Sequence, residues 1–361
     1  EDQIRSLRDM EQVVREQETK QIDDQRRTII RGATKATTKE AHQATQLPQA
    51  WRQEDVVTGD GSATADPLLV LQHERDLLNT LWKGNDTPAQ PVTNAPWGGG
   101  DPLKKMTPDR LREASKTFKK KTARTYDGFH VSQFQYLSEE ALHCYCDLLE
   151  LAECLCAMPT PTQTVEVALV PKKEGRRPVG VYTALERLAG KARKLDLDQW
   201  MTSKARDYFA TAKGTGAMDV VWAQSIAAET SKSQGKHFAA TLWDLKSFFD
   251  TMDHDILLEK AEKHGFPPAL VRMAIASFRA PRVVGIRKRF ADPIHPTRGV
   301  LAGHAFAMAL VHLYYLDAVD EWALRFPRAR IDIYVDDITV TMYGDSEDGL
   351  VQDLYAAVAD L

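Results

Sequence analysis

Residues 331–342, with the sequence IDIYVDDITVTM, place two adjacent carboxylates, Asp336 and Asp337, inside a run of apolar and β-branched residues. Residues alternating in this way predict a β-hairpin with one buried face. Burying an isolated carboxylate is costly, and a second carboxylate beside it raises the cost. Either the two aspartates only form the hairpin turn, where Asp is common, or another group neutralises their charges.

A second group of carboxylates lies in residues 240–257, ATLWDLKSFFDTMDHDIL. Asp253 and Asp255 are expected to begin a helix, where acidic residues cap amide groups and favour the helix dipole. Asp244 instead ends an apolar strand. If that strand lies beside the hairpin, three carboxylates share one cleft and repel each other unless divalent cations lie between them. Such oxygen ligands favour Mg²⁺, and two ions about 4 Å apart can hold the attacking and leaving oxygens of a phosphoryl transfer.

Charge is unevenly distributed along the chain. The 361 residues have a formal net charge of −4, which argues against a uniformly basic, nucleic-acid-binding surface. Residues 104–124 nevertheless contain nine basic residues against two acidic ones, and residues 172–194 contain eight against two. No stretch reaches the roughly 18 consecutive apolar residues of a membrane span, and the first residues have no apolar signal core. The sequence therefore predicts local basic patches and no membrane partner.

The four cysteines, Cys144, Cys146, Cys154 and Cys156, all lie between residues 137 and 158. A zinc site is one interpretation of the two C-x-C pairs. The segment has helical periodicity and no Gly or Pro between the pairs, so the sulfurs would point around a helix. We therefore expect a buried helix whose thiols pack as small apolar groups. Free thiols also favour an intracellular location, in the nucleus or cytoplasm, over secretion.

The order of predicted elements is that of an α+β protein. Residues 1–101 are expected to form a helical arm and linkers, partly disordered, with one amphipathic helix at 68–82. From residue 102 onward, strands and helices follow without another linker. Helices are predicted at 138–157, 183–207, 216–232, 253–264, 267–278 and 304–325, and strands at 164–171, 237–245 and 282–290, before the hairpin at 330–343 and a last helix.

Six segments, taken in order from residue 121, carry a family resemblance. They read KTARTYDGFHVSQF, VALVPKKEGRRPVGVYTALERL, GTGAMDVVWAQ, LWDLKSFFDTMDH, TRGVLAGHAFAMALVHLYYLDAV and YVDD. This series resembles the reverse transcriptases of non-LTR retrotransposons and group II introns. The resemblance implies RNA-directed DNA polymerase activity and a right-hand polymerase fold. It places α/β fingers at 102–236 and an antiparallel palm sheet with packed helices at 237–361, with the thumb absent.

The resemblance also implies a catalytic centre with two Mg²⁺ ions, which Mn²⁺ can replace. Its catalytic and metal-binding residues would be Asp244, Asp336 and Asp337, with the carbonyl of Leu245 as a further metal ligand. A DNA primer 3′-hydroxyl would attack the α-phosphate of a deoxynucleoside triphosphate, and pyrophosphate would leave.

Binding residues follow from the same resemblance. Lys172 or Lys173 and the guanidinium of Arg177 would hold the triphosphate. Phe249 would lie under the sugar and exclude a 2′-hydroxyl, and Gly303 would permit close approach of the backbone. A basic cluster would contact phosphates of the RNA template, and its members are Lys116, Lys119, Lys120, Lys121 and Arg124.

Two departures from the family pattern keep other functions open. The usual Pro-Gln-Gly-Ser turn is replaced by Leu301, Ala302, Gly303 and His304, and the sequence ends before the thumb. One alternative is an RNA polymerase that copies RNA, against which Phe249 argues. The other is a catalytically weak or inactive RNA-binding scaffold on the same fold. The three carboxylates argue against a scaffold, because without metal ions they would only destabilise it.

Overall fold

The protein is represented by a computed structural model that describes residues 56–57, 63–84, 103–172, 175–211, 214–286 and 289–361. The chain divides into two compact units, Glu1–Glu54 and Asp55–Leu361, and every described residue belongs to the second. Most of the arm and linkers predicted over residues 1–101 therefore lies outside the described residues. The same holds for Lys173.

Helices and strands follow one another irregularly along the described residues, as expected for an α+β protein. The helices are α1 (Pro67–Trp82), α2 (Pro108–Lys116), α3 (Glu139–Leu155), α4 (Ala184–Ser203), α5 (Ala217–Ser233), α6 (Phe248–Thr251), α7 (His254–Lys263), α8 (Pro268–Arg279), α9 (Ala307–Arg325) and α10 (Glu347–Asp360). The strands are β1 (Val56–Val57), β2 (Ala63–Thr64), β3 (Val165–Pro171), β4 (Arg176–Val181), β5 (His237–Asp244), β6 (Arg282–Ile286), β7 (Arg289–Phe290), β8 (Arg330–Tyr334) and β9 (Asp337–Gly344). The predicted helices and strands are present, with ends that shift by a few residues.

A three-stranded antiparallel sheet, in the order β5-β9-β8, contains the predicted hairpin. Its apolar face packs on α9 and α10 and buries Ile333, Ile338 and Val340 in the main hydrophobic core. The opposite face exposes Leu242 and Tyr343. This difference between the faces is the usual result of alternation in an antiparallel sheet with one solvated side. The carboxylates of Asp244, at the end of β5, and Asp337, at the start of β9, lie at the same end of this sheet.

A second, four-stranded sheet has the order β4-β3-β6-β7. Strand β3 pairs antiparallel with β4 and parallel with β6. Strand β4 was not predicted from the sequence. Its Pro178 and Gly180 disfavour a strand locally, but β4 lies at the edge of the sheet, where Pro is tolerated. The strands predicted at 282–290 are present as β6 and β7, which pair antiparallel as a hairpin.

Helices α2, α3 and α4 enclose a smaller core. Asp127 belongs to the Asp-Gly pair of the segment KTARTYDGFHVSQF. Its Oδ2 accepts the Ala184 N–H at 2.6 Å and so caps the N-terminal end of α4. Helix α3 carries Cys144, Cys146 and Cys154, Cys156 is its C-cap residue, and none of the four forms a disulfide bond. The prediction that all of them are buried is wrong for Cys144 and Cys154, which are exposed.

None of the helices in the described ranges is both long enough and apolar enough to cross a bilayer.

Candidate active site

The register of the three-stranded sheet brings the predicted carboxylates together. Asp244, the last residue of β5, lies directly opposite Asp337, the first residue of β9. Side chains at opposite positions of an antiparallel pair have Cβ atoms roughly 5 Å apart. Asp336 precedes Asp337 in the hairpin turn, and its carbonyl accepts the Leu245 N–H at 3.1 Å. Residues separated by about ninety positions in the chain thus form one acidic cluster, Asp244, Asp336 and Asp337.

The turn that carries Asp336 has an unusual backbone conformation. Val335 has a φ angle of +64°, which is strained for a β-branched residue and costs on the order of 1–3 kcal/mol. The Tyr315 hydroxyl of α9 donates a hydrogen bond to the Val335 carbonyl at 3.1 Å. Together with the Leu245 N–H, this bond stabilises the turn in the position that sets Asp336 and Asp337 beside β5.

The acidic cluster carries unneutralised charge. Burial raises the pKa of the Asp337 carboxyl, and the negative charges of Asp336 and Asp244 raise it further. Burial and the charge of Asp336 also raise the pKa of Tyr315, so its phenol stays protonated and donates to the turn. A cation bound between the carboxylates would relieve this repulsion.

The donor set of the acidic cluster suits a hard divalent cation, because it offers carboxylate oxygens only. As the side chains stand, no three His, Cys, Asp or Glu residues of the described ranges converge closely enough to hold a metal ion. Mg²⁺ is commonly held by one or two carboxylates and completed by waters and substrate phosphates. The residues therefore fit a magnesium ion whose coordination a bound nucleotide would complete.

The segment after β5 contains the predicted sugar-contacting residue. Ser247 has a φ angle of +57° and turns the chain into α6. The Phe248 ring stacks on the Tyr315 ring, with centroids 5.0 Å apart and planes 18° apart. Phe249 is half-buried beside it, and the carbonyl of Leu245 accepts the Phe248 N–H at 3.3 Å. Of the two phenylalanines, Phe248 is therefore the one whose ring stacks on Tyr315, the residue that supports the turn at Val335.

The predicted triphosphate-binding residues lie on the hairpin of β3 and β4. Lys172 is exposed just after the end of β3, and its charge acts on the partly buried carboxyl of Asp250. Arg177 is exposed on β4. Its neighbour Arg176 points to the other face, where its side chain forms a buried ion pair with Glu74 of α1. Because neighbouring residues of a strand point to opposite faces, Arg177 is accessible to a ligand, while Arg176 packs against α1.

The turn before α9 approaches β4 closely. Gly303 has a φ angle of +106°, and a Cβ there would lie 2.4 Å from the Gly180 carbonyl oxygen. The Gly180 N–H donates to the Ala302 carbonyl at 2.7 Å. The backbone approach expected of Gly303 is therefore made to β4, and a contact with nucleotide stays a prediction. His304 accepts the Phe306 N–H through Nδ1 at 3.2 Å, and burial lowers its pKa to about 3, so the ring is neutral.

The predicted RNA-binding residues lie at the end of α2 and in the loop after it. All five are exposed: Lys116, Lys119, Lys120, Lys121 and Arg124. Lys116 also pairs with Glu113 at 2.6 Å. Among the described residues, no hydrogen bond or ion pair joins this basic cluster to the acidic cluster.

One group of residues near the site was missed from the sequence. Asp250 follows Phe249 and accepts the Trp82 indole N–H at 2.7 Å. Arg282 is fully buried, with its guanidinium carbon 4.4 Å from the centre of the Trp82 ring. The only sequence signal was that Asp250 and Arg282 stand in apolar surroundings, and nothing local connected them to Trp82.

Comparison with known proteins agrees with this architecture. The family model described as reverse transcriptase (RNA-dependent DNA polymerase) matches residues 170–360, which is more than half of the chain. The chain therefore belongs to the reverse transcriptase family, and its fold is the right-hand polymerase fold. No match was found among curated proteins.

Two solved telomerase structures resemble the chain weakly. An apo telomerase from Candida tropicalis, truncated from its C-terminal domain, is 11% identical with a TM-score of 0.41, and the match covers 56% of this chain and 47% of that one. A telomerase from Candida albicans in complex with the TWJ fragment of telomeric RNA is 12% identical with a TM-score of 0.40, covering 56% and 41%. The chain thus spans less than half the length of either structure.

Proposed function

We propose that this protein is an RNA-directed DNA polymerase that extends a DNA primer on an RNA template. The observation that carries the proposal is the pairing of Asp244 with Asp337 beside a strained turn that presents Asp336. Such a turn is retained where function requires it, since the strain destabilises the fold. We further propose that the protein comes from a retroelement of the non-LTR or group II intron type, as the order of its sequence blocks suggests.

In the proposed reaction, the primer 3′-oxygen forms a bond to the α-phosphorus of a deoxynucleoside triphosphate, and the bond to pyrophosphate breaks. Asp244, Asp336 and the carbonyl of Leu245 would hold Mg²⁺, with Asp337 adding negative potential. When bound, the ions would supply charge neutralisation for the attacking and leaving oxygens. The chain itself contributes the fixed position of its carboxylates, because the β5–β9 register and the Tyr315 bond exclude other arrangements.

Substrate binding would use the exposed charges around this centre. Lys172, Lys173 and Arg177 would neutralise the triphosphate, whose charge otherwise repels the acidic cluster. Phe249 would contact the sugar and select against a 2′-hydroxyl, and Gly303 would lie along the nucleotide. The basic cluster from Lys116 to Arg124 would contact the phosphates of the RNA template.

A division of the described chain into two domains accompanies this proposal. Residues 102–236 would serve as the fingers, which bind template and triphosphate. Residues 237–361 would serve as the palm, which carries the carboxylates. The four-stranded sheet would span both, since β6 and β7 come from the palm residues, β6 pairs with β3, and β7 pairs with β6.

Primer extension tests the function. Wild-type protein, an oligo(dT) primer on poly(A) RNA, dTTP and Mg²⁺ should give extended products, and EDTA should abolish them. Asp336→Asn should lower extension by at least about a hundredfold. Asp345→Asn is the matched control, because it removes one acidic charge at an exposed position just beyond the opposite end of β9; it should leave extension unchanged.

Other outcomes identify the alternatives. Extension with UTP and not dTTP would indicate an RNA polymerase. Binding of poly(A) RNA without any extension, equal in wild type and Asp336→Asn, would indicate an RNA-binding scaffold and overturn the proposal.

A further inference from the structure

Helix α1 lies outside the segment that matches the reverse transcriptase family, residues 170–360, yet it is bound closely to that segment. Its Glu74 forms the buried ion pair with Arg176 of β4. The Leu81 carbonyl accepts a hydrogen bond from Arg298 Nε at 2.9 Å. Further hydrogen bonds lie at the C-terminal end of α1, where Trp82 meets Asp250 and the Thr297–Arg298 segment.

Trp82, the last residue of α1, is fully buried and makes three hydrogen bonds to that segment. Its indole N–H donates to Asp250 Oδ1 at 2.7 Å. Its carbonyl accepts the N–H groups of Thr297 and Arg298 at 3.0 and 3.2 Å. One residue therefore contacts both the chain after the predicted sugar-contacting Phe249 and the chain before the turn at Gly303.

Arg282 lies against the face of the Trp82 ring and binds the second of these segments. Its Nη2 donates to the carbonyl of Gly299 at 2.7 Å and to that of Phe278 at 2.9 Å. Its Nε and Nη1 have no hydrogen-bond partner among the described residues. The charge of Asp250 partly compensates for the burial of this guanidinium, and burial lowers the pKa of Arg282 to about 10. The aromatic ring supplies a further favourable contact for the buried cation.

The two segments are also bonded directly to each other. The Val300 N–H donates to the Phe249 carbonyl at 2.7 Å, and the Gly299 N–H donates to the Met252 carbonyl at 2.8 Å. A Cβ at Gly299 would lie 2.6 Å from the Asp250 carbonyl oxygen, so the backbones approach as closely as glycine allows. Displacing Asp250 would therefore displace Phe249 and the loop at Gly299 together.

Asp250 itself needs the Trp82 bond. Burial raises the pKa of this carboxyl, while the hydrogen bond from Trp82 and the charges of Arg282 and Lys172 lower it. A buried carboxylate that loses its donor is destabilised where it stands and tends to move toward water or another cation. Lys172, a predicted triphosphate-binding residue, is an exposed cation whose charge acts on this carboxyl.

We propose that Trp82 is a positioning residue for the nucleotide site, which holds Asp250 and thereby fixes Phe249 and the Gly299–Val300 loop around the incoming nucleotide. The proposal rests on the proposed polymerase function and adds to it an element outside the matched family segment. Helix α1 is then part of the nucleotide site and determines how strictly deoxynucleotides are selected.

The test compares Trp82→Phe with Trp322→Phe. The first substitution keeps an aromatic ring beside Arg282 and removes the indole donor, together with part of the ring volume, which Trp322→Phe removes equally. Trp322 is the matched control, since it is equally buried and its indole N–H also donates at 2.7 Å, but to the Ala357 carbonyl in the main core. Both variants should lose similar thermal stability, because each loses one buried hydrogen bond.

Two measurements separate positioning from stability. In hydrogen–deuterium exchange, peptides that contain the Gly299 and Val300 amides should exchange about tenfold faster in Trp82→Phe and as in wild type in Trp322→Phe. In primer extension, the ratio of kcat/KM for dTTP to that for UTP should fall about tenfold in Trp82→Phe only, mainly through KM for dTTP. Unchanged exchange in Trp82→Phe, or the same change in both variants, overturns the proposal.

The exchange measurement requires no catalysis, so the two proposals can fail separately. If wild-type protein extends no primer, the polymerase function fails, while exchange alone decides whether Trp82 positions the loop. If exchange rises but nucleotide selection does not change, the role of Trp82 at the nucleotide site is overturned although its structural contact stands. If Trp82→Phe does not fold, Asp250→Leu removes the acceptor of the same hydrogen bond at similar side-chain volume, and it should give the same changes in exchange and selection.

Discussion

The hydroxyl of Tyr315 donates a hydrogen bond to the carbonyl of Val335, 3.1 Å away. This bond connects the long helix α9 to the one β-branched residue of the described chain with a positive φ angle. The same ring stacks on Phe248, so Tyr315 contacts both chain segments that carry the acidic cluster. Support from the helix is what allows a strained turn to persist beside mutually repelling carboxylates.

Tyr315→Phe should therefore reduce activity more than stability. The variant keeps the ring stack and loses one hydrogen bond, which is worth about 1 kcal/mol of unfolding free energy. Primer extension should fall about tenfold, because the turn that presents Asp336 loses its fixed position. Thermal unfolding and steady-state kinetics measure the two effects. Tyr355→Phe, at a ring that is 74% exposed, should change neither, and equal losses in both variants would contradict the explanation.

Asp337→Asn should stabilise the metal-free protein at neutral pH. The pKa of Asp337 is raised in the folded state, so its ionisation opposes folding, and stability falls as pH rises above the ordinary value of 3.8. Asparagine does not ionise, so the variant avoids this loss of folding stability. Its melting temperature in EDTA should exceed that of wild type at pH 7, and the difference should vanish as the pH is lowered below 3.8. A lower melting temperature at pH 7 would show that the carboxylate is already neutralised.

A second pH effect is expected away from the acidic cluster, at Glu186 in α4. Burial raises the pKa of this carboxyl to about 7, against a hydrogen bond from Ser277 that lowers it. Stability should decline as pH rises from about 4.5 to about 7 and then level off, because the folded state holds the proton more tightly than the unfolded state. The decline attributable to this group is at most on the order of 3 kcal/mol.

Glu186→Gln isolates that contribution. Its melting temperature should match wild type near pH 4.5 and exceed it increasingly up to pH 7, with a constant difference above that value. Chemical denaturation across the same pH range measures the free energy directly. A constant difference at all pH values would mean that Glu186 titrates normally.

Gly303→Ala should destabilise the protein strongly. A Cβ at this position would lie 2.4 Å from the Gly180 carbonyl oxygen in addition to the positive φ angle. We expect a loss of about 2–4 kcal/mol of unfolding free energy, combining backbone strain with displacement of β4. Gly265→Ala is the matched control, because its φ angle of +64° is positive and no atom lies within 4 Å of its Cβ position. It should lose only about 1 kcal/mol. Equal losses would show that the turn does not need the close approach.

Much of the local structure could be predicted from the sequence, because it depends on neighbours in the chain. The alternation in residues 331–342 predicted the hairpin, and Asp253 caps α7 as expected, accepting the N–H groups of Asp255 and Ile256. The helix at 138–157 followed from periodicity alone. The burial of its cysteines did not, since which side of α3 meets α2 and α4 is decided by packing and not by periodicity.

The candidate site could be predicted in part. Three carboxylates, Asp244, Asp336 and Asp337, were predicted from the sequence to share one cleft. Only the β5–β9 register places Asp244 opposite Asp337. A shift of one residue in that register would turn these side chains to different faces of the sheet. Strand β4 escaped prediction because its Pro178 and Gly180 are unfavourable locally and tolerated only at an edge of a sheet.

The sequence by itself determined which segments form strands, helices and turns, and which side chains could neutralise or carry charge at a catalytic centre. The tertiary structure alone decided which of them meet. Trp82 and Asp250 are 168 positions apart, and no periodicity or composition connects two such residues. Their contact exists because α1 packs on the four-stranded sheet, and burial there leaves a carboxylate that only a donor from another element can satisfy.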